Sequence, residues 1–138
     1  MTGSEFPWST DELAAAIAIL NHANIRSSRG AASLIAAAKT LAAPGDYGID
    51  ILRRLNVEPC GQDGVLLPLA DVIEQLQRAD PNNRDLMLIF GVQPASTIGA
   101  LIRQGSDSFR ALVAAVIASP DRDLLLADTR RIFSAAAS

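Results

Sequence analysis

Cysteine occurs once in this sequence, at Cys60, and histidine once, at His22. A single cysteine excludes a disulfide within the chain and a zinc site built from its own thiolates. A single histidine excludes a histidine-rich metal centre. Lysine is just as scarce: Lys39 is the one lysine among twelve basic residues, the others being arginine. Aromatic residues make up only 4%, so any core must be built from Leu, Ile, Val and Ala. The formal charge of −3 lacks the basic surplus that advertises nucleic-acid binding, and nucleic acid is not an expected partner. No apolar run approaches the ~20 residues that cross a bilayer, so no membrane association is expected. The first ten residues lack a basic stretch followed by an apolar one, so they do not read as a secretory leader, and the cytoplasm is the default compartment. Neither of the glycine-rich phosphate-binding patterns, G-x-G-x-x-G or G-x-x-x-x-G-K-[ST], occurs.

What is present points to helix packed on helix. Hydrophobic residues reach 49% and charged residues 20%, a globular balance, and 138 residues suit one domain. Alanine comes in runs, at Ala14–Ala16, Ala36–Ala38 and Ala135–Ala137. Alanine has the best helix propensity, and its small side chain lets helices approach closely. The expected fold is all-α: a compact orthogonal bundle of seven to eight short helices. The abundance of alanine and arginine also suits a GC-rich bacterial genome. The helical domain is expected over 9–138, with a subdivision at 57–70 as the one alternative. Residues 1–8 are expected to form a tail, within which Gly3–Phe6 (GSEF) matches a cloning scar.

Local signals place the helices. Ser9 and Glu12 have capping-box spacing, and Trp8 and Leu13 have the spacing of a hydrophobic staple, so a helix is predicted over 10–25. A second is predicted over 28–43, stopped by Pro44-Gly45, and a third from Asp46 to about Asn56. Residues 57–70 break the pattern. Asp63-Gly64 signals a turn, while Pro59 and Pro68 limit the segment to a small β-hairpin or an irregular loop. Helices follow at 71–79, at 84–90 (apolar almost all round, hence expected to be central and buried), and after Ser96 up to Gly105. Another opens at Asp107/Ser108, and a last one lies beyond Pro120.

Few side chains suggest chemistry. His22 falls near a helix end, where capping or simple exposure explains it. Cys60 sits between Pro59 and Gly61 without a cationic neighbour in sequence, the usual setting of an unreactive thiol. The arginine pairs Arg53-Arg54 and Arg130-Arg131 suit helix C-termini and are also candidate contacts for an acidic partner.

The stretch 90–117, FGVQPASTIGALIRQGSDSFRALVAAVI, resembles the acyl and peptidyl carrier proteins. Phe90-Gly91-Val92 is similar to their L-G-V, Leu101-Ile102 to their F-F, and Gly105-x-Asp107-Ser108-Phe109 to their G-x-D-S-L. The resemblance implies that Ser108 carries phosphopantetheine. It covers under a quarter of the chain, its loop before the serine is about three residues short, and the match fades after residue 118. Without that resemblance, Asp107 or Ser108 needs only to cap a helix. A winged-helix DNA-binding regulator is a further alternative, because three helices precede a turn-rich segment. Asp46 and Asp50 at the start of the would-be recognition helix repel phosphate, and CGQDG has no basic residue. The reading carried forward is a non-catalytic helical interaction module, without cofactor, that binds another protein or itself.

Overall fold

The computed structural model describes residues 6–138. Among the described residues eight helices follow one another: α1 (Thr10–His22), α2 (Ser27–Ala42), α3 (Asp46–Arg54), α4 (Leu69–Ala79), α5 (Asn83–Phe90), α6 (Val92–Gln104), α7 (Ser106–Ala118) and α8 (Arg122–Ala137). The described residues hold no strand, and one antiparallel bridge joins Cys60 to Leu66. The chain is an all-α bundle, as its alanine content and apolar periodicity predict.

Helix α1 starts as its sequence predicts, with one difference. Ser9 Oγ accepts the Glu12 N–H at 3.1 Å, so half of the capping box forms. The other half does not, because the Glu12 carboxylate turns away. Buried, it accepts the N–H groups of Leu69 at 3.1 Å and Ala70 at 2.9 Å. These are the first two amides of α4, whose preceding residue is Pro68 and whose own side chains offer no cap. Glu12 therefore caps a helix 57 residues further along the chain.

Phe6 and Trp8 belong to the packed structure rather than to a tail, while Gly3–Glu5 lie outside the described residues. Trp8 is 1% exposed and its indole N–H donates to the Leu67 carbonyl at 3.0 Å. The Phe6 ring lies 6.2 Å from Trp8 and 5.8 Å from Phe133 of α8, the latter edge to face.

Two helix ends share a device that composition alone did not reveal. Helix α1 stops at His22, not at Ile25, because Asn24 takes a left-handed conformation at φ 65°. The Ile25 N–H then reaches back to the Leu20 carbonyl, and Asn24 N–H to that of Asn21. Asn56, at φ 58°, does the same after α3, with Val57 bonded to Leu52 and Asn56 to Arg53. Both are Schellman ends with asparagine in the usual glycine position. The shared pattern, Leu-x-x-x-Asn followed by a β-branched residue, is visible at 20–25 and 52–57.

Three expected boundaries move. Helix α5 opens with a full capping box between Asn82 and Asp85, where Pro81-Asn82-Asn83 suggested only a break. Helix α6 begins at Val92 rather than after Ser96, since Pro94 falls in the first turn, where no intrahelical N–H bond is lost. Helix α7 begins at Ser106 rather than at Asp107/Ser108. Gly105, at φ 91°, turns the chain, and Gln77 of α4 accepts the Ser106 N–H at 2.9 Å.

The central rod is α6, not α5. Helix α6 packs on α1, α2, α4, α5 and α7. Its Ala95, Gly99 and Ala100 are buried and small, so neighbours close in on several sides. Helix α5 is apolar from Leu86 to Phe90 but peripheral, leaving Met87 and Leu88 open to solvent. Side-chain size, rather than hydrophobicity, decides which rod is enclosed. Thr97 in α6 is 1% exposed, and its hydroxyl has no hydrogen-bond partner among the described residues.

The segment between α3 and α4 is a loop with one bridge rather than a hairpin. Gly64, at φ 79°, makes the turn, and Asp63 Oδ1 accepts the Val65 N–H at 3.0 Å. Gln75 of α4 holds the loop, accepting the Glu58 N–H at 2.6 Å and donating to its carbonyl at 2.7 Å.

Candidate interaction surface

Several polar side chains of the bundle join helices to one another. Arg122 of α8 grips Asp11 of α1 with two bonds, at 3.0 and 2.8 Å. Arg110 of α7 bridges Asp71 at 2.8 Å and Glu74 at 2.7 Å, both on α4, and Arg78 also reaches Glu74 at 3.0 Å. Arg54 of α3 binds Asp85 of α5 at 2.6 Å. That carboxylate therefore closes a capping box and clamps two helices at once.

These contacts shift proton affinities in consistent directions. The hydrogen bond from Arg110 and then its charge hold the Glu74 carboxyl below its ordinary range, against a small burial penalty. Arg110 is raised in turn, first by its hydrogen bond with Glu74, and Arg122 is raised by its hydrogen bond with Asp11. A depressed carboxyl stabilises the fold above its ordinary titration range and loses that contribution as pH falls through its folded value. The Glu74 share is thus expected to fade in acid, from the ordinary glutamate range downward. An Arg110→Ala protein should show a flatter fall in thermal midpoint over that window. Because the partners are exposed, 1 M salt should shrink the difference between the two proteins. Identical profiles at low salt would refute the linkage.

The candidate residues read from the sequence are not gathered into one place. His22 is exposed in the last turn of α1. Cys60 is half-buried in the loop, its Sγ 3.9 Å from the Leu41 carbonyl. Arg53 and Arg130 are exposed, Arg54 is committed to Asp85, and Arg131 pairs with Asp128 one turn earlier on α8. Ser108 is exposed in the first turn of α7, two residues past its start. Among the described residues, no three His, Cys, Asp or Glu side chains converge as a metal site would require. Two open surface depressions lie along the 56–68 loop, with Cys60 and Gln75 lining one of them. No helix among the described residues is long and apolar enough to cross a membrane.

Sequence reasoning missed the large apolar side chains left outside. One group is Tyr47 of α3 (78% exposed), Met87 and Leu88 of α5 (46% for Leu88) and Val92 of α6 (72%). A second flanks the α7–α8 corner: Ile117, Leu124 and Leu125; Val65, in the loop before α4, is exposed as well. Singly, such residues mean little; grouped, they mark contact surfaces.

Helices α3 and α5 bring the first group together. Arg54 meets Asp85 at one end, and a side chain at Gly48 would lie 3.8 Å from the Ile89 Cα near the other. The two helices therefore run antiparallel and close enough that a side chain at position 48 would touch the backbone of α5. Tyr47, Ile51 and Arg54 share one face of α3 at helical spacing, as Asp85 and Leu88 do on α5. This register puts Ile51 beside Leu88, and Tyr47 beside the Gly91 corner where Val92 follows.

No family model matches the chain. No solved structure matches it either. The chain is similar to a protein described as a tape measure protein of Pneumococcus phage Dp-1, with 27% identity over 127 residues. The matched stretch takes in 88% of this chain but only 11% of that phage protein.

Proposed function

We propose that this chain is a non-catalytic helical module that binds protein through apolar side chains on its outside, in a structural rather than an enzymatic setting. The observation that carries this is the division of labour among side chains. Charged groups such as Glu12, Arg54, Arg110 and Arg122 act as helix caps and interhelical clamps, while Tyr47, Leu88, Val92, Ile117 and Leu124 face solvent. Exposing large apolar groups is unfavourable unless a partner covers them. The likeness to a stretch of a phage tape measure protein supports a structural context. The test compares proteins captured by the unaltered chain with those captured by Leu88→Glu and Leu124→Glu variants. Circular dichroism must first show an unchanged helical content. Loss of specific captured proteins in at least one variant is expected; an identical set in all three would defeat the reading.

A second reading rests on Ser108. Its hydroxyl is exposed in the first turn of α7, beside Asp107, where a helix N-terminus favours an attached phosphate. If the carrier resemblance is functional, a phosphopantetheinyl transferase with coenzyme A adds the prosthetic group to the chain, and Ser108→Ala abolishes the mass gain. An unchanged intact mass removes this reading.

A further inference from the structure

We infer that the α3–α5 strip of Tyr47, Ile51, Leu88 and Val92 is a self-association surface, on which a second copy of this chain docks about a two-fold axis lying across the strip. The inference rests on the interaction-module reading and names its partner. Its basis is the distribution of charge along the strip. Asp46, Asp50 and Arg53 follow one another at helical spacing down the outer edge of α3. By the antiparallel register, Arg84 of α5 lies at the same end as Arg53 and Arg54. The charge beside the apolar strip therefore changes sign along it, from Asp46 and Asp50 on the Tyr47 side of Leu88 to Arg53 and Arg84 beyond it. Asp46, Asp50, Arg53 and Arg84 are exposed, and none takes part in the ion pairs found among the described residues.

A strip polarised in this way is self-complementary. A two-fold axis across it reverses the direction of the second copy. The acidic end of one then lies over the basic end of the other, with apolar side chains meeting between them. Ile51 and Leu88 fall at the centre of such a contact, between the acidic and basic residues, and Tyr47 adds a large rigid face on its acidic side, a residue type enriched at interfaces. A second axis orientation, along the strip, would lay acid opposite acid and is disfavoured. The patch is small against a standard interface, so a weak dimer is expected.

Sedimentation equilibrium over roughly 1 µM to 1 mM protein tests this. The unaltered chain should shift from monomer to dimer within that range, and more weakly at high salt. Tyr47→Glu should weaken dimerisation at least about thirtyfold, since it removes a large aromatic contact and adds a charge to the acidic side of the interface. Asp50→Arg should weaken it, and adding Arg53→Glu to that variant should restore part of the loss. Each variant is checked for unchanged helical content. A monomer throughout the range overturns the inference. So does a dimer that Tyr47→Glu leaves intact and Leu124→Glu disrupts. Either result leaves the capture experiment above to decide whether the chain binds other proteins, so the two claims fail separately.

Discussion

Replacing Trp8 by alanine is expected to lower the stability of the bundle by about 3–5 kcal/mol. The indole is among the largest fully buried side chains, and Phe6 and then Phe133 pack in line with it. Its removal opens a cavity that rigid helices cannot fill, and it leaves the Leu67 carbonyl without its donor. Single domains have total stabilities of only about 5–15 kcal/mol, so the loss would be a large fraction of the whole. Urea unfolding followed by circular dichroism measures it. Trp8→Phe separates the two contributions: it keeps most of the packing and loses the hydrogen bond, and it should cost about 1–2 kcal/mol. An alanine variant within about 0.5 kcal/mol of the unaltered protein would show that Phe6 and Trp8 are not part of the fold's core.

The second large effect is expected at Glu12. Glu12→Ala strips the partners from two amides at the start of α4, and about 2–4 kcal/mol should be lost. Glu12→Gln discriminates the cause. Its single carbonyl oxygen can accept one of the two N–H groups, while its NH2 group faces the other donor. An intermediate loss is therefore expected, and Glu12→Asp, one methylene short, should not rescue. Hydrogen exchange supplies the local signature: the Leu69 and Ala70 amides should lose protection more than amides in α2. If all three substitutions cost the same, burial alone would be the explanation, and the charge-assisted cap would be the wrong account.

Both effects bear on how α4 is held. Glu12 caps its start, Gln75 ties it to the 56–68 loop, Gln77 caps α7, and Asp71 and Glu74 hold Arg110. A helix of eleven residues thus links α1, α7 and the loop by polar contacts, beside the apolar packing of its buried Leu69, Val72, Ile73 and Leu76. These contacts are directional, so they specify one arrangement where alanine-rich faces would tolerate several. The exposed members add little stability individually, whereas buried Glu12 adds much.

Residue by residue, the sequence was most legible where interactions are local. Ser9 stands three residues from the amide that it accepts, and Pro44-Gly45 interrupts its own chain. The Leu-x-x-x-Asn ends of α1 and α3 were equally local, and the pattern was there to be read. Pro94 misled because a proline in a helix interior and one in its first turn differ only by knowing where the helix starts. The interaction surface was not legible, since Tyr47 and Leu88 look like ordinary core residues in their amphipathic helices. Only the packing of α3 against α5 leaves them facing outward.

Helix class, the number of rods and most of their breaks were determined by the sequence alone. Propensity, apolar periodicity and caps act over three or four residues and do not depend on what lies elsewhere. The tertiary structure alone decided that Glu12 serves α4, that small α6 rather than apolar α5 is enclosed, and which apolar groups remain uncovered. Those outcomes depend on which groups 30 to 60 residues apart come to lie within hydrogen-bond or packing distance, and no short-range rule contains that information.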